Sequence, residues 1–234
     1  MRLTYSLLFT VTALFSSVLH AQTVDEIINK HIEAIGGKEK LNEVKSLYIE
    51  NSMEVMGNEA PQTEYLLEGK GYKTEMEFNG SKIINCYNDK GGWSINPMMG
   101  GSNAEPMKDV LYKAGKVQIY AGGALVDYAA KGYKAELAGM EDGNYKIKIV
   151  DGDKESYYYI DPKSSYITKS IIKSEMMDQP VDVTTIYSDY RKTDFGIVMP
   201  YAKNIDMGMF QLSSKVNKVE VNKDIDIKIF EMPK

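Results

Sequence analysis

From Ser46 onward, apolar and polar side chains alternate with a period of two over most of the chain. Leu47, Ile49, Met53 and Val55 alternate with Tyr48, Glu50, Ser52 and Glu54. Tyr72, Thr74, Met76 and Phe78 alternate with Lys73, Glu75 and Glu77, and Tyr145, Ile147 and Ile149 with Lys146 and Lys148. Successive side chains of a strand point to opposite faces, so this pattern predicts antiparallel strands with one buried and one wet face. Turn signals separate them at Asn79-Gly80, Asn88-Asp89-Lys90-Gly91-Gly92, Asp142-Gly143-Asn144, Asp151-Gly152-Asp153 and Asp161-Pro162. Further strands are predicted near 154–160, 165–176, 181–190, 197–208 and 211–221. The apolar positions switch parity between Val216 and Val221, which predicts a bulge there.

Two segments break the alternation. Thr23 and Glu26 form a capping box, and Val24, Ile27, Ile28, Ile32 and Ile35 recur at helical spacing until Gly36-Gly37. A short second helix is predicted over about Lys38–Val44, with Leu41 and Val44 inward. Mid-chain, Glu105 to Ala130 carries Met107, Val110, Leu111, Val117, Ile119, Leu125 and Tyr128 at mixed spacing, read as one or two short helices. No linker composition divides residues 22–234, which are predicted to form a single domain of about ten antiparallel strands. Each strand must bury one apolar face, and two helical units supply a cover. The predicted fold class is mainly antiparallel β with few helices (α+β), an incomplete, half-open β-barrel roofed by the N-terminal and mid-chain helices.

Residues 1–21 carry a basic start at Arg2, an uncharged apolar run from Leu7 to Val18 and a small residue at Ala21. They read as an export signal cleaved near Ala21, with the remaining chain in the periplasm. Without them the chain has 27 basic and 33 acidic residues, a balance that opposes nucleic-acid binding. Arg191 is then the single arginine, which opposes a bidentate arginine clamp for phosphate or carboxylate. One cysteine and two histidines in the full chain provide neither a disulfide framework nor a Cys/His zinc site. No metal or cofactor is expected.

Individual chemical candidates read as structure. His31 and Glu33 are two apart on a helix and do not share a face. Cys86 lies in the apolar run Ile83-Ile84-Asn85-Cys86-Tyr87, a strand thiol with no histidine to activate it. Asp151, Asp153 and Glu155 suggest a calcium loop but lack its glycine and terminal glutamate, so a hairpin turn is expected. Asp224 and Asp226 alternate with Ile225, Ile227 and Ile229 and are read as the wet side of a strand. Nothing assembles a nucleophile, base and orienting group, and no enzyme is expected. Thirteen methionines beyond residue 21 stand out. They suit either an irregular core or an adaptable apolar cavity.

Several stretches together resemble a known family. They are Ala34-Ile35-Gly36-Gly37-Lys38-Glu39-Lys40-Leu41 with Val44-Lys45-Ser46-Leu47, and Asp89-Lys90-Gly91-Gly92-Trp93-Ser94-Ile95-Asn96-Pro97. Others are Asp127-Tyr128, Lys131-Gly132-Tyr133, Tyr157-Tyr158-Tyr159-Ile160-Asp161, Ser188-Asp189-Tyr190, Gly196-Ile197-Val198-Met199-Pro200 and Ile229-Phe230-Glu231-Met232-Pro233. The chain resembles the bacterial outer-membrane lipoprotein-sorting proteins, relatives of LolA and LolB. The resemblance implies a non-enzymatic carrier whose half-barrel holds acyl chains of lipoproteins or other lipids under a helical lid, with membrane-bound transport components as further partners. The carriers of that family close the lid with an arginine inside the barrel, a role that Arg191 does not match. The expected cavity lining is Leu47, Ile49, Met53, Val55, Met76, Phe78, Trp93 and Ile95, and the expected lid residues are Ile28, Ile32, Leu111 and Ile119. The rival expectation is an exported β-rich module with a filled core, binding a protein or glycan through outer-face aromatics such as Tyr48, Tyr158 and Tyr190. A hydrolase is a third reading.

Overall fold

The computed structural model describes residues 22–176 and 179–233. The segment expected to be an export signal lies outside the described residues, as does Met177. Helix α1 spans Val24–Ala34 and α2 Lys38–Asn42. Strands β1 to β6 follow at Ser46–Val55, Asn58–Leu67, Gly71–Phe78, Ser81–Asn88, Gly92–Asn96 and Gly101–Pro106. Helix α3 spans Asp109–Gly115 and continues as a 3-10 turn over Lys116–Ile119. Strands β7 to β13 are Lys134–Glu141, Asn144–Asp151, Lys154–Ile160, Ile167–Met176, Gln179–Lys192, Val198–Asp206 and Gln211–Val221.

The 13 strands form one antiparallel sheet in the order β6-β5-β4-β3-β2-β1-β13-β12-β11-β10-β9-β8-β7. Its edges β6 and β7 do not pair, so the barrel is open. Sequential hairpins build each half, and the pairing of β1 with β13 joins the two halves through the middle of the sheet. The connection from β6 to β7 must therefore run from one edge to the other, which carries α3 across the sheet.

Cross-strand register assigns the faces. Leu47, Ile49, Asn51, Met53 and Val55 of β1 stand opposite Leu66, Glu64, Gln62, Ala60 and Asn58 of β2, and opposite Val221, Val219, Val216, Ser214 and Leu212 of β13. A register shift between Glu50 and Asn51 leaves Asn217 unpaired with β1, the bulge that the parity switch predicts. The same face continues through Tyr72, Thr74 and Met76 of β3 to Tyr87, Asn85 and Ile83 of β4. On the other wing it carries Ile147, Ile149 and Tyr158.

Helix α1 begins with the capping box in place, Thr23 Oγ1 accepting from the Glu26 amide at 3.2 Å and Glu26 Oε2 from the Thr23 amide at 3.0 Å. Its buried stripe of Ile27, Ile28 and Ile32 meets Leu47, Ile49, Leu66, Ile147, Ile149, Tyr158 and Ile160 in the largest core. Residues 120–132 are a chain of turns, not helix. They bury Ala124, Leu125 and Val126 in the same core. Lys131 staples this loop by donating to the carbonyls of Gly123 and Val126, and Asp127 pairs with Lys38 at 2.5 Å. The stretch containing Lys131-Gly132-Tyr133 is thus explained by loop closure.

A second core lies on the opposite face. The C-terminal segment crosses β3–β5 and ends in a 3-10 turn, Ile227–Phe230, capped by Asp226, which accepts from the Lys228 amide at 3.0 Å. The expected strand with Asp224 and Asp226 on its wet side is not formed, because these residues leave the sheet at Asn222. Phe230 is buried against Ile84, Cys86 and Trp93. Its carbonyl accepts from Trp93 Nε1 at 3.0 Å, Asn88 Nδ2 at 3.1 Å and Cys86 Sγ at 3.5 Å. Burial pushes the Cys86 thiol up to about 12, so it stays protonated and inert.

Candidate functional site

The helix-covered face has three tiers along the strands. At the end near α1, the large core fills the space between helices and sheet. At the far end, Met53, Val55, Ala60, Phe78 and Ile83 form a separate buried cluster, with Met76 and Leu212 packed against it. Between the two lies a polar belt. Asn51 Nδ2 donates to Glu64 Oε1 at 2.6 Å, and the Tyr72 hydroxyl donates to Glu64 Oε2 at 2.7 Å. Burial, with the Glu64 carboxylate alongside, raises the Tyr72 pKa well above the usual range and keeps it a donor. Ser214 and Ser170 are buried on this face, and Ser170 shares a 3.0 Å hydrogen bond with the Tyr187 hydroxyl.

The expected cavity residues therefore divide. Leu47 and Ile49 belong to the packed tier under α1, and Met53, Val55, Met76 and Phe78 to the far cluster, all six on one face. Trp93 and Ile95 do not join them. They pair with Cys86 and Ile84 of β4, whose side chains point away from the helices, and both pack under the C-terminal segment. Of the lid residues, Ile28, Ile32 and Ile119 are buried and Leu111 is half-buried.

The tyrosines of the rival expectation are not an exposed outer array. Tyr158 is buried in the main core, and Tyr190 stacks on Tyr166 with ring centroids 4.3 Å apart. Tyr48 does face outward, with Lys223 Nζ 3.5 Å from its ring. The methionines divide as well: Met53 is buried, whereas Met56, Met98, Met140, Met209 and Met232 are exposed. Arg191 is exposed and paired with Asp189 at 2.6 Å. Asp151 and Lys154 close the β8–β9 hairpin, as the turn reading requires.

Sequence reasoning missed the polar belt. Its signal was Asn51, the polar interruption in the otherwise apolar face of β1.

Helix α3 packs on β10, and a cleft opens beneath it. Ala114 and Val117 form its roof with Ala124, and Ile149, Tyr158 and Ile172 its floor, while Lys113, Lys154 and Lys173 stand at its rim. The cleft encloses about 40 Å³, room for roughly one water. An acyl chain fits this cleft only if the roof moves. A separate open groove of about 640 Å³ lies at the β11–β13 end of the sheet, lined by Met56, Ile186, Ile205 and Leu212 with Glu54 and Asp206.

Polar ties hold the roof: Lys116 Nζ lies 3.2 Å from Asp151, Lys108 Nζ 3.5 Å from Glu175, and Glu68 accepts from the Ala121 amide at 2.6 Å. Tyr128 donates to Asp25, joining the 120–132 loop to α1 at 2.5 Å, and Tyr112 of α3 donates to the Asn88 carbonyl at 2.9 Å. His31 of α1 is buried, and its Nδ1 lies 2.8 Å from the Ser165 carbonyl. A carbonyl only accepts, so Nδ1 carries the proton. Burial lowers the His31 pKa below 6.5, with the Ser165 bond opposing the shift in part. A histidine depressed in the folded state contributes stability that is present above its unfolded pKa and lost as pH falls from about 6.5. Urea midpoints at pH 7.5 and 5.5 should therefore diverge more for the unaltered protein than for His31→Asn, which keeps a donor but cannot titrate. Equal divergence would contradict the assignment.

No family model and no curated protein matches the chain. Solved structures do. A LolA superfamily protein from Nitrosomonas europaea aligns over 90% of this chain and 98% of its own, with a TM-score of 0.58 and 12% identity. A DUF1329 family protein from Desulfovibrio piger aligns over 90% and 98%, with a TM-score of 0.56 and 14% identity. A Vibrio parahaemolyticus domain provisionally described as an outer membrane lipoprotein-sorting protein aligns over 88% and 94%, at 0.51 and 10%. At such identities the likeness is one of architecture, and it covers the sheet and its helical cover together: the chain has a LolA-like fold.

Proposed function

We propose that the protein is a non-enzymatic periplasmic carrier of amphiphiles, taking the acyl chain of a lipoprotein or another lipid between its helical roof and the sheet. The observation that carries this reading is the cleft under α3, where apolar groups of a short helix and of β8–β10 face each other across an opening. The roof is built to yield. Helix α3 has seven residues and no side-chain N-cap, and such a short helix draws most of its stability from packing. A chain of about twelve methylenes, at ~0.8 kcal/mol each, supplies ~10 kcal/mol gross against the costs of roof displacement and association. The export signal expected at residues 1–21 and the LolA-like fold support a periplasmic setting, with lipoproteins among the cargo.

Ile172 tests the proposal, because it is half-buried on the cleft floor and belongs to none of the buried clusters. Ile172→Asp should weaken uptake of the neutral apolar fluorophore N-phenylnaphthylamine about tenfold, the equivalent of one lost aliphatic contact of ~1.5 kcal/mol. Its melting temperature should stay within a few degrees of the parent. Unchanged uptake would remove the cleft as the entry. The open groove at the β11–β13 end favours an outer-surface module. Ile186→Asp there should leave fluorophore uptake unaltered.

A further inference from the structure

We propose that Asn51 and Glu64 form a polar anchor for the head group of the bound amphiphile, and that this head group is a hydrogen-bond donor, a hydroxyl or an ammonium. The inference rests on the carrier reading and deepens it. Asn51 and Glu64 are 3% and 6% exposed, at mid-strand between two apolar tiers. A half-barrel serving chains alone would carry aliphatic residues there. The bulge in β13 falls beside Asn51, and the unbroken β1–β2 register keeps Asn51 on the helix-covered face.

Asn51 Nδ2 also donates to Gln62 Oε1 at 3.4 Å, so the amide nitrogen is engaged twice while its oxygen is not. The carboxylate offers about four lone-pair directions, of which Asn51 and Tyr72 take two. Asn51 Oδ1 is buried and has no hydrogen-bond partner among the described residues. Buried polar atoms are paired as a rule, so an orphaned acceptor beside a carboxylate marks a place where a donor belongs.

Lys203 stands near that place without filling it. Its Nζ is 3.9 Å from Glu64 Oε1, beyond hydrogen-bond length, and its side chain is 25% exposed against 8% for Glu64. Lys203 thus acts as a displaceable placeholder that balances the carboxylate when no ligand is bound. The belt continues sideways from Glu64 through Thr74, Asn85 and Ser94, all half-buried on the same face, which gives a head group a polar route in. An anionic head group would meet the carboxylate and be disfavoured.

The test is displacement of N-phenylnaphthylamine from the mature protein by three twelve-carbon competitors below their micellar concentrations: monolauroylglycerol, dodecylamine and dodecanoate. The anchor requires the glycerol ester and the amine to displace at concentrations about tenfold or more below dodecanoate. Glu64→Gln should abolish the preference for the amine while keeping that for the glycerol ester. Asn51→Leu should weaken both, and Lys203→Met should strengthen amine binding. A purely structural network would instead shift the melting temperatures of these variants and leave the competitor ratios alone, which would overturn the anchor. Should Asn51→Leu fail to fold, Glu64→Gln and Lys203→Met decide the matter. Equal displacement by all three competitors would overturn the anchor and leave the carrier standing. No fluorophore uptake by the unaltered protein would overturn both.

Discussion

Phe230→Ala is expected to lower the unfolding free energy by about 3–5 kcal/mol, the range for removing a buried aromatic ring. The ring is 2% exposed, and it lies over Gly71, where an added Cβ would sit 2.4 Å from its Cγ atom. No other residue type at position 71 leaves room for it. Three donors converge on the Phe230 carbonyl, so losing the ring loosens the turn that holds those bonds too. Urea denaturation measures the loss. Trp93, the single tryptophan of the chain, reports it locally: its emission should move to longer wavelength in the variant. Ligand binding to the unaltered protein should leave Trp93 emission in place, because the helix-covered face is on the other side of the sheet. A ligand-induced shift with an intact C-terminal turn would return Trp93 to the cavity.

Gly115→Val should have the second large effect, on both stability and binding. Gly115 ends α3, and a Cβ there would lie 2.2 Å from the Tyr87 ring. Tyr87 is fixed in turn by stacking on Tyr72, with centroids 6.5 Å apart. The valine therefore wedges the roof off the sheet, at a cost of about 1–3 kcal/mol for overpacking. With the roof already lifted, N-phenylnaphthylamine should enter faster than in the parent protein, as stopped-flow fluorescence would show. Slower or unchanged entry, with the expected loss of stability, would mean that α3 does not gate the face.

The fold was legible where one face of a strand is wet. The alternation in β1 and β3 located the helix-covered face correctly, and the switch of parity near Val216 located the bulge. The reading failed where both faces are buried. In β4, Ile83 faces the helices and Ile84 and Cys86 face the C-terminal segment, so hydrophobicity gives no sign of side. Trp93 and Ile95 inherit their face from pairing with that strand, and only inter-strand register reveals it. Tyr158 was misread for the same reason, since β9 is buried on both sides from Tyr158 to Ile160.

The alternation names no strand at β2, β6 or β7. β6 and β7 are largely exposed edge strands, as their position in the sheet requires, and carry little apolar alternation. The candidate site was half legible. Its apolar tiers follow from periodicity, whereas the polar belt depends on Glu64, whose partners Asn51 and Tyr72 come from different strands.

The most direct measurement is native mass spectrometry of the mature protein, purified from cells without detergent, followed by organic extraction and lipid analysis. The carrier reading requires a stoichiometric amphiphile that is released on denaturation, with an acyl chain and a hydroxyl- or amine-bearing head. A mass equal to the bare polypeptide, together with no uptake of N-phenylnaphthylamine, would contradict it and leave the helix-covered face as a packed core.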